Sequence, residues 1–218
     1  NEVEPDWIMC CNGGDDLLTI AFRAFCDSRR SCAYPVPTYS LYSTLAELQN
    51  CPVTEVPFGP EYTLPEDLAS AGAALTIVCN PNAPSGSFIA PEQLGRLARQ
   101  LKGVLLIDEA YVDFAPKNCC ELVSRFENII ILRSMSKGYS LAGLRFGYAV
   151  ARPSVIQQLL KVKDSYNVNS ISTAAAAEAM KDQEAFRTNI EKIKAERSSL
   201  TGRLRELGFS VPASHTNF

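Results

Sequence analysis

Ile129-Ile130-Ile131-Leu132-Arg133-Ser134-Met135-Ser136-Lys137-Gly138-Tyr139-Ser140-Leu141-Ala142-Gly143-Leu144-Arg145 is the stretch that decides the fold. Its first four residues are all apolar, with no polar alternation, and a turn-like sequence follows. That is the signature of a short strand buried on both faces, which belongs in a parallel sheet covered by helices. Two similar runs lie upstream. Val104-Leu105-Leu106-Ile107 ends in Asp108-Glu109-Ala110-Tyr111, and Leu75-Thr76-Ile77-Val78-Cys79 ends in Asn80-Pro81-Asn82-Ala83-Pro84-Ser85-Gly86. A further strand is expected at 147–150, with shorter ones at 32–34, 53–56 and 209–211.

Helical spacing of apolar residues separates these runs. Leu17, Leu18, Ala21, Phe22 and Phe25 define a helix over 15–25, with Asp15 and Asp16 suited to its first turn. Other helices are expected at 39–48, at 91–102 behind Pro91, and at 154–163, 171–181 and 184–207, the last closed by Gly208. Strands alternating with helices give an open, mainly parallel α/β sheet flanked by helices. A domain boundary is expected near residue 182. Residues 1–181 then form a large domain, and 182–218 begin a small α/β C-terminal domain.

Composition narrows the function. A net charge of −3 gives no bulk attraction to nucleic acid or anionic lipid. No apolar run approaches the ~20 residues of a membrane span, and no secretory signal is visible, so a cytoplasmic location is expected. Of the eight cysteines, none forms a C-x-x-C pair, and His215 is the single histidine. A metal centre is therefore not expected, and the cysteines read as reduced, mostly buried thiols. Asp108-Glu109 after a strand also resembles the metal-binding acid of a nucleotide hydrolase, but the phosphate-binding loop of such enzymes is absent from the sequence.

In open α/β sheets, ligands lie beyond the carboxyl ends of the strands. Lys137, leaving its strand among hydroxyls and eight residues before Arg145, suits a phosphorylated aldehyde. The amine can form a Schiff base, while Ser134, Ser136 and Arg145 meet a phosphate. Gly13-Gly14, ahead of a helix, can add backbone N–H groups. These features point to pyridoxal 5'-phosphate. Asp108 would then sit beside its pyridine nitrogen and keep it protonated. Two unit charges ~4 Å apart gain roughly 4 kcal/mol at an effective dielectric near 20, or about three pKa units. Tyr111 is placed to donate to the ring oxygen and Tyr39 to stack on the ring face. For either tyrosine alone, packing is the simpler role.

These motifs resemble fold-type I pyridoxal-phosphate aminotransferases, and within them the histidinol-phosphate aminotransferase subfamily. The likeness covers most of the chain. It rests on Gly13-Gly14-Asp15-Asp16, Pro37-Thr38-Tyr39, the 80–86 loop, Asp108-Glu109-Ala110-Tyr111, Ser134-Met135-Ser136-Lys137 with Arg145, and the stretch 163–170. The resemblance implies that Lys137 is the Schiff-base lysine and that Asp108 partners the ring nitrogen. It also implies that Tyr111 bonds the ring oxygen, that Tyr39 stacks on the ring, and that Gly14, Asp15, Ser134, Ser136 and Arg145 hold the phosphate. Its implied substrates are an amino donor and a keto-acid acceptor, L-histidinol phosphate and 2-oxoglutarate, within histidine biosynthesis. A homodimer is implied for the full-length protein.

Two departures stand out. The family carries asparagine immediately before the proline of its N-P-[ST]-G loop, where this chain has Ala83. Asn82 substitutes by a shift of the loop, or Tyr111 serves alone. Complete members are also longer at both ends, which implies that a segment covering the site and most of the small domain lie outside this sequence. A threonine-phosphate decarboxylase or an aromatic aminotransferase shares the cofactor residues. A non-catalytic binding or dimerisation module sharing the fold is the alternative from another class.

Overall fold

The computed structural model describes residues 3–218. One seven-stranded sheet is built from β1 (Ile8–Cys11), β2 (Cys32–Val36), β3 (Val53–Pro57), β4 (Leu75–Cys79), β5 (Val104–Asp108), β6 (Ile129–Ser134) and β7 (Gly147–Ala151). Their spatial order is β1-β7-β6-β5-β4-β2-β3. Strands β3, β2, β4, β5 and β6 pair in parallel, whereas β7 pairs antiparallel with both β6 and β1. Among the described residues, β7 is thus the one strand running against the rest. This is the mainly parallel α/β sheet expected from the sequence.

The helices are α1 (Gly14–Phe25), α2 (Leu41–Leu48), α3 (Pro91–Gln100), α4 (Leu122–Arg125), α5 (Pro153–Val162), α6 (Ser170–Lys181) and α7 (Gln183–Glu206). The all-apolar strands make sense once the helices are in place, because both faces are covered. In β6, Ile130 and Leu132 pack with Leu17, Leu18 and Phe22 of α1, Leu45 of α2 and Leu159 of α5. Ile129 and Ile131 pack on the other side with Leu94 and Leu97 of α3 and Leu122 and Val123 of α4. Each fully buried Leu or Ile contributes on the order of 2 kcal/mol. Six cysteines, Cys11, Cys26, Cys32, Cys51, Cys79 and Cys119, are buried thiols and serve as core residues.

The structure departs from expectation in several elements, including the four-residue helix α4, which the sequence did not suggest. Strand β1 was not anticipated: Ile8-Met9-Cys10-Cys11 is short, and it becomes a strand by pairing with β7 in register Ile8 to Val150. Residues 209–211 form no strand. Gly208, at φ +86°, ends α7, and the Phe209 N–H bonds back to the Leu204 carbonyl at 3.0 Å. The Val211 carbonyl accepts from the Arg205 guanidinium at 2.9 Å, so it bonds to a side chain and not to a β-ladder. Tyr39 precedes α2 and does not lie within it. Among the described residues, no helix is long and apolar enough to cross a membrane, and no group of side chains is placed to hold a metal ion.

Candidate active site

The carboxyl ends of β4, β5 and β6 and the start of α1 surround a cavity of about 180 Å³. Nine of the ten residues singled out from the sequence line it: Gly14, Asp15, Tyr39, Asp108, Tyr111, Ser134, Ser136, Lys137 and Arg145. The sheet explains the convergence. Asp108 pairs with Cys79 across β4–β5 and with Leu132 across β5–β6, so three strand ends meet at one level.

One end of the cavity suits an anion. Helix α1 begins at Gly13 without a side-chain cap, and the first-turn N–H groups of any helix lack intrahelical acceptors. Gly13 has φ +89°, and a Cβ there would stand 2.6 Å from Arg145 Nη2. Glycine is thus required by conformation, and any side chain there would push the guanidinium aside. Arg145 itself lies in the left-handed region at φ +51° and pairs with Asp15 at 3.5 Å. The Ser134 hydroxyl accepts from the Ser136 N–H at 3.1 Å, and both serines line the cavity.

The other end carries Asp108, buried at 4% exposure. Its Oδ2 accepts from the Tyr42 hydroxyl at 2.7 Å, and its Oδ1 from the Ala110 N–H at 3.1 Å. Burial raises its pKa; the hydrogen bonds from Tyr42 and Ala110 and the positive charge of Lys137 pull it back, and Asp15 adds to the rise. A buried carboxylate with no directly paired cation at the wall of a cavity suits a ligand that brings a positive charge. Lys137 Nζ lies 5.0 Å from the centre of the Tyr111 ring, and the edge of that ring meets Phe218 at 5.2 Å between centroids.

Behind these residues lies a second layer. Glu109 accepts from the Cys119 N–H at 2.5 Å and pairs with Arg133 at 2.9 Å. Burial pushes the Glu109 carboxyl up to about 7, against the pull of Arg133. Asp113 packs on Gly138, where any Cβ would collide with its carboxylate, so the residue after Lys137 is fixed by contact. Asn189 of α7 donates to the Gly138 carbonyl at 3.4 Å and the Ser140 hydroxyl at 3.3 Å.

Asn82 is not brought to the cavity. Its amide donates to the Pro37 carbonyl at 3.1 Å and the Ser85 hydroxyl at 2.8 Å, and its oxygen accepts from Thr38 at 2.9 Å. The side chain is wholly used in folding the loop, and Ala83 faces the cavity instead. Conversely, Tyr42 and Cys79 were not anticipated. Tyr42 lies on the buried face of α2 with Leu45 and Ala46, where a tyrosine has the pattern of a packing residue. The signal available was its place one helical turn after Tyr39.

The donor set fits pyridoxal phosphate: an amine, a buried carboxylate, and a glycine-lined cradle with a guanidinium and two hydroxyls. The comparisons agree. The chain is 45% identical over 217 residues to "Histidinol-phosphate aminotransferase 1" of Trichormus variabilis, covering 99% of this chain and 62% of that protein. It is 44% identical over 216 residues to the histidinol-phosphate aminotransferase of Rhodopirellula baltica, covering 98% and 60%. The chain therefore spans about three fifths of the length of these curated relatives. The histidinol-phosphate aminotransferase of Sinorhizobium meliloti, solved in complex with pyridoxal-5'-phosphate, superposes with a TM-score of 0.92 at 26% identity, covering 98% of this chain and 61% of that one. The model for aminotransferase class I and II matches residues 2–218, and the chain belongs to that family.

Proposed function

We propose that this chain carries the cofactor-binding part of a pyridoxal-phosphate-dependent aminotransferase. Its exchanging pair is L-histidinol phosphate and 2-oxoglutarate, and its products are imidazole acetol phosphate and L-glutamate. The observation that carries this reading is the placement of Lys137 and the buried Asp108 in one cavity with the Gly13–Arg145 cradle. The identity to relatives of that name supports the choice of substrate.

In this reading, the N–H groups of Gly14 and Asp15, the Ser134 and Ser136 hydroxyls and Arg145 hold the phosphate. Tyr39 covers the ring face, Tyr111 holds the ring oxygen, and Asp108 holds the proton of the ring nitrogen. Asn82 shapes the loop from behind. When bound, the cofactor supplies the electron sink that no side chain provides. Lys137 Nζ serves as the base that takes the proton from the α-carbon of the amino donor, which requires it to be neutral when it acts. Asp113 and Asn189 hold the loop just after that amine, at Gly138 and Ser140. The partition at residue 182, the cytoplasmic location and a homodimer of the whole protein belong to the same proposal.

Borohydride reduction of the cofactor-loaded protein, followed by peptide mapping, tests the site. The phosphopyridoxyl label is expected on Lys137, and a label on any other lysine refutes the assignment. Glutamate formation from histidinol phosphate and 2-oxoglutarate tests the reaction. Release of carbon dioxide from threonine phosphate, without glutamate formation, would replace it with a decarboxylase.

A further inference from the structure

Tyr42 is buried completely, and its hydroxyl donates to Asp108 Oδ2 at 2.7 Å. Its ring is held independently of that bond. Tyr34 and Tyr39 each approach it with centroids 5.7 Å away, one tilted and one edge-on. The ring therefore accounts for the packing, and the hydroxyl ends on the Asp108 carboxylate.

The other titratable group facing this hydroxyl is the Cys79 thiol at the end of β4. Burial raises the pKa of both the thiol and the phenol, so both stay neutral. Asp108 also feels Asp15 from α1 and Lys137 from the loop after β6. Tyr42 is thus a permanent donor, and its acceptor is the carboxylate at the cavity wall.

We propose that Tyr42 is a positioning residue that acts through Asp108: its hydrogen bond holds the carboxylate ionised, so that the single proton shared with the cofactor ring resides on the ring nitrogen. The inference rests on the reading of Asp108 as the partner of that nitrogen.

The physical issue is where one proton sits between two bases. In a desolvated cavity, the ion pair of carboxylate and protonated ring competes with the neutral pair of carboxylic acid and unprotonated ring. A donor on the carboxylate favours the ion pair. Removing a hydrogen bond to a charged group shifts such an equilibrium by about tenfold to a hundredfold. The Ala110 N–H would then be the one remaining hydrogen bond to the carboxylate. A ring that has lost its proton is a weaker electron sink, so turnover falls while substrate contacts remain.

The test uses the cofactor-loaded enzyme with ¹⁵N at the ring nitrogen, whose resonance reports protonation. Tyr42→Phe, and 4-fluorophenylalanine at the same position, both remove the donor; the second also keeps the volume and protects the fold. Both are expected to move the resonance toward that of the unprotonated ring. They should also lower kcat about tenfold to a hundredfold, with KM changed only a few-fold. Asp108→Asn is the reference. If it leaves the resonance in the protonated position, the role of Asp108 falls, and this inference with it. If Asp108→Asn moves the resonance but neither Tyr42 replacement moves it or kcat, the role of Asp108 stands and the inference is overturned.

Discussion

Gly13→Ala probes the anion cradle at the point where its geometry is tightest. The new methyl would lie 2.6 Å from Arg145 Nη2 and 3.0 Å from Cζ, both well inside contact distance. The nearest atoms belong to a flexible side-chain end, so the guanidinium can swing away, but it then leaves the start of α1. The positive-φ, extended-ψ backbone at Gly13, a conformation essentially reserved for glycine, adds about 1–3 kcal/mol for alanine. Losing the guanidinium removes a charge-assisted hydrogen bond worth about 1.5–3 kcal/mol, which is about tenfold to a hundredfold in affinity. We expect the Kd for pyridoxal phosphate, followed by the absorbance of the bound cofactor, to rise by that factor. The unfolding free energy should fall by the backbone cost. Gly14→Ala is the control, because its methyl would meet Leu132 Cδ2 at 3.2 Å and leave Arg145 untouched. A Gly13→Ala protein that binds cofactor within about twofold of the parent would refute the cradle, given that a single such bond is worth at least tenfold.

Two further predictions use the surrounding layer. Glu109 has its pKa raised from 4.5 to about 7, so its contribution to stability is full below the lower value and is lost as pH rises through the higher one. Relative to Glu109→Gln, which does not titrate, the parent should therefore lose unfolding free energy across that window; a difference independent of pH in urea titrations would contradict the burial argument. Asn82→Ala should cost about 2 kcal/mol of stability through its loop hydrogen bonds while changing cofactor Kd by less than about threefold. Tenfold weaker binding with unchanged stability would return Asn82 to the site.

What the sequence made legible was the part with the strongest local signal. The runs 75–79, 104–107 and 129–132 are apolar without alternation, which only a sheet covered on both faces permits, and their polar ends had to lie on one edge. Lys137, Asp108 and Arg145 line one cavity for that reason. Strand β1 was not legible because its four residues gain a ladder only from β7, almost 140 positions away. The turn of Asn82 away from the cavity was not legible because the direction of an amide on a proline-rich loop depends on Thr38 and Ser85, which local pattern cannot see. Tyr42 was missed because burial hides chemistry: a tyrosine on the inward side of a helix reads as packing until its hydroxyl is seen to end on a carboxylate.

The reversal of β7 has a consequence for ligand choice. Because β6 and β7 are antiparallel neighbours, the segment between them is one hairpin loop whose two ends are pinned side by side, Ser134 opposite Gly147. Lys137 stands near one pinned end and Arg145 near the other. The amine and the guanidinium are therefore two marks on a single gauge, with the loop setting their separation. A ligand is measured by the span from its carbonyl carbon to its anionic tail. If Lys137 and Arg145 have the roles proposed above, an aldehyde lacking the phosphate would reach only one mark and one with a longer arm would overshoot the second, so this hairpin would also screen the length of what it receives.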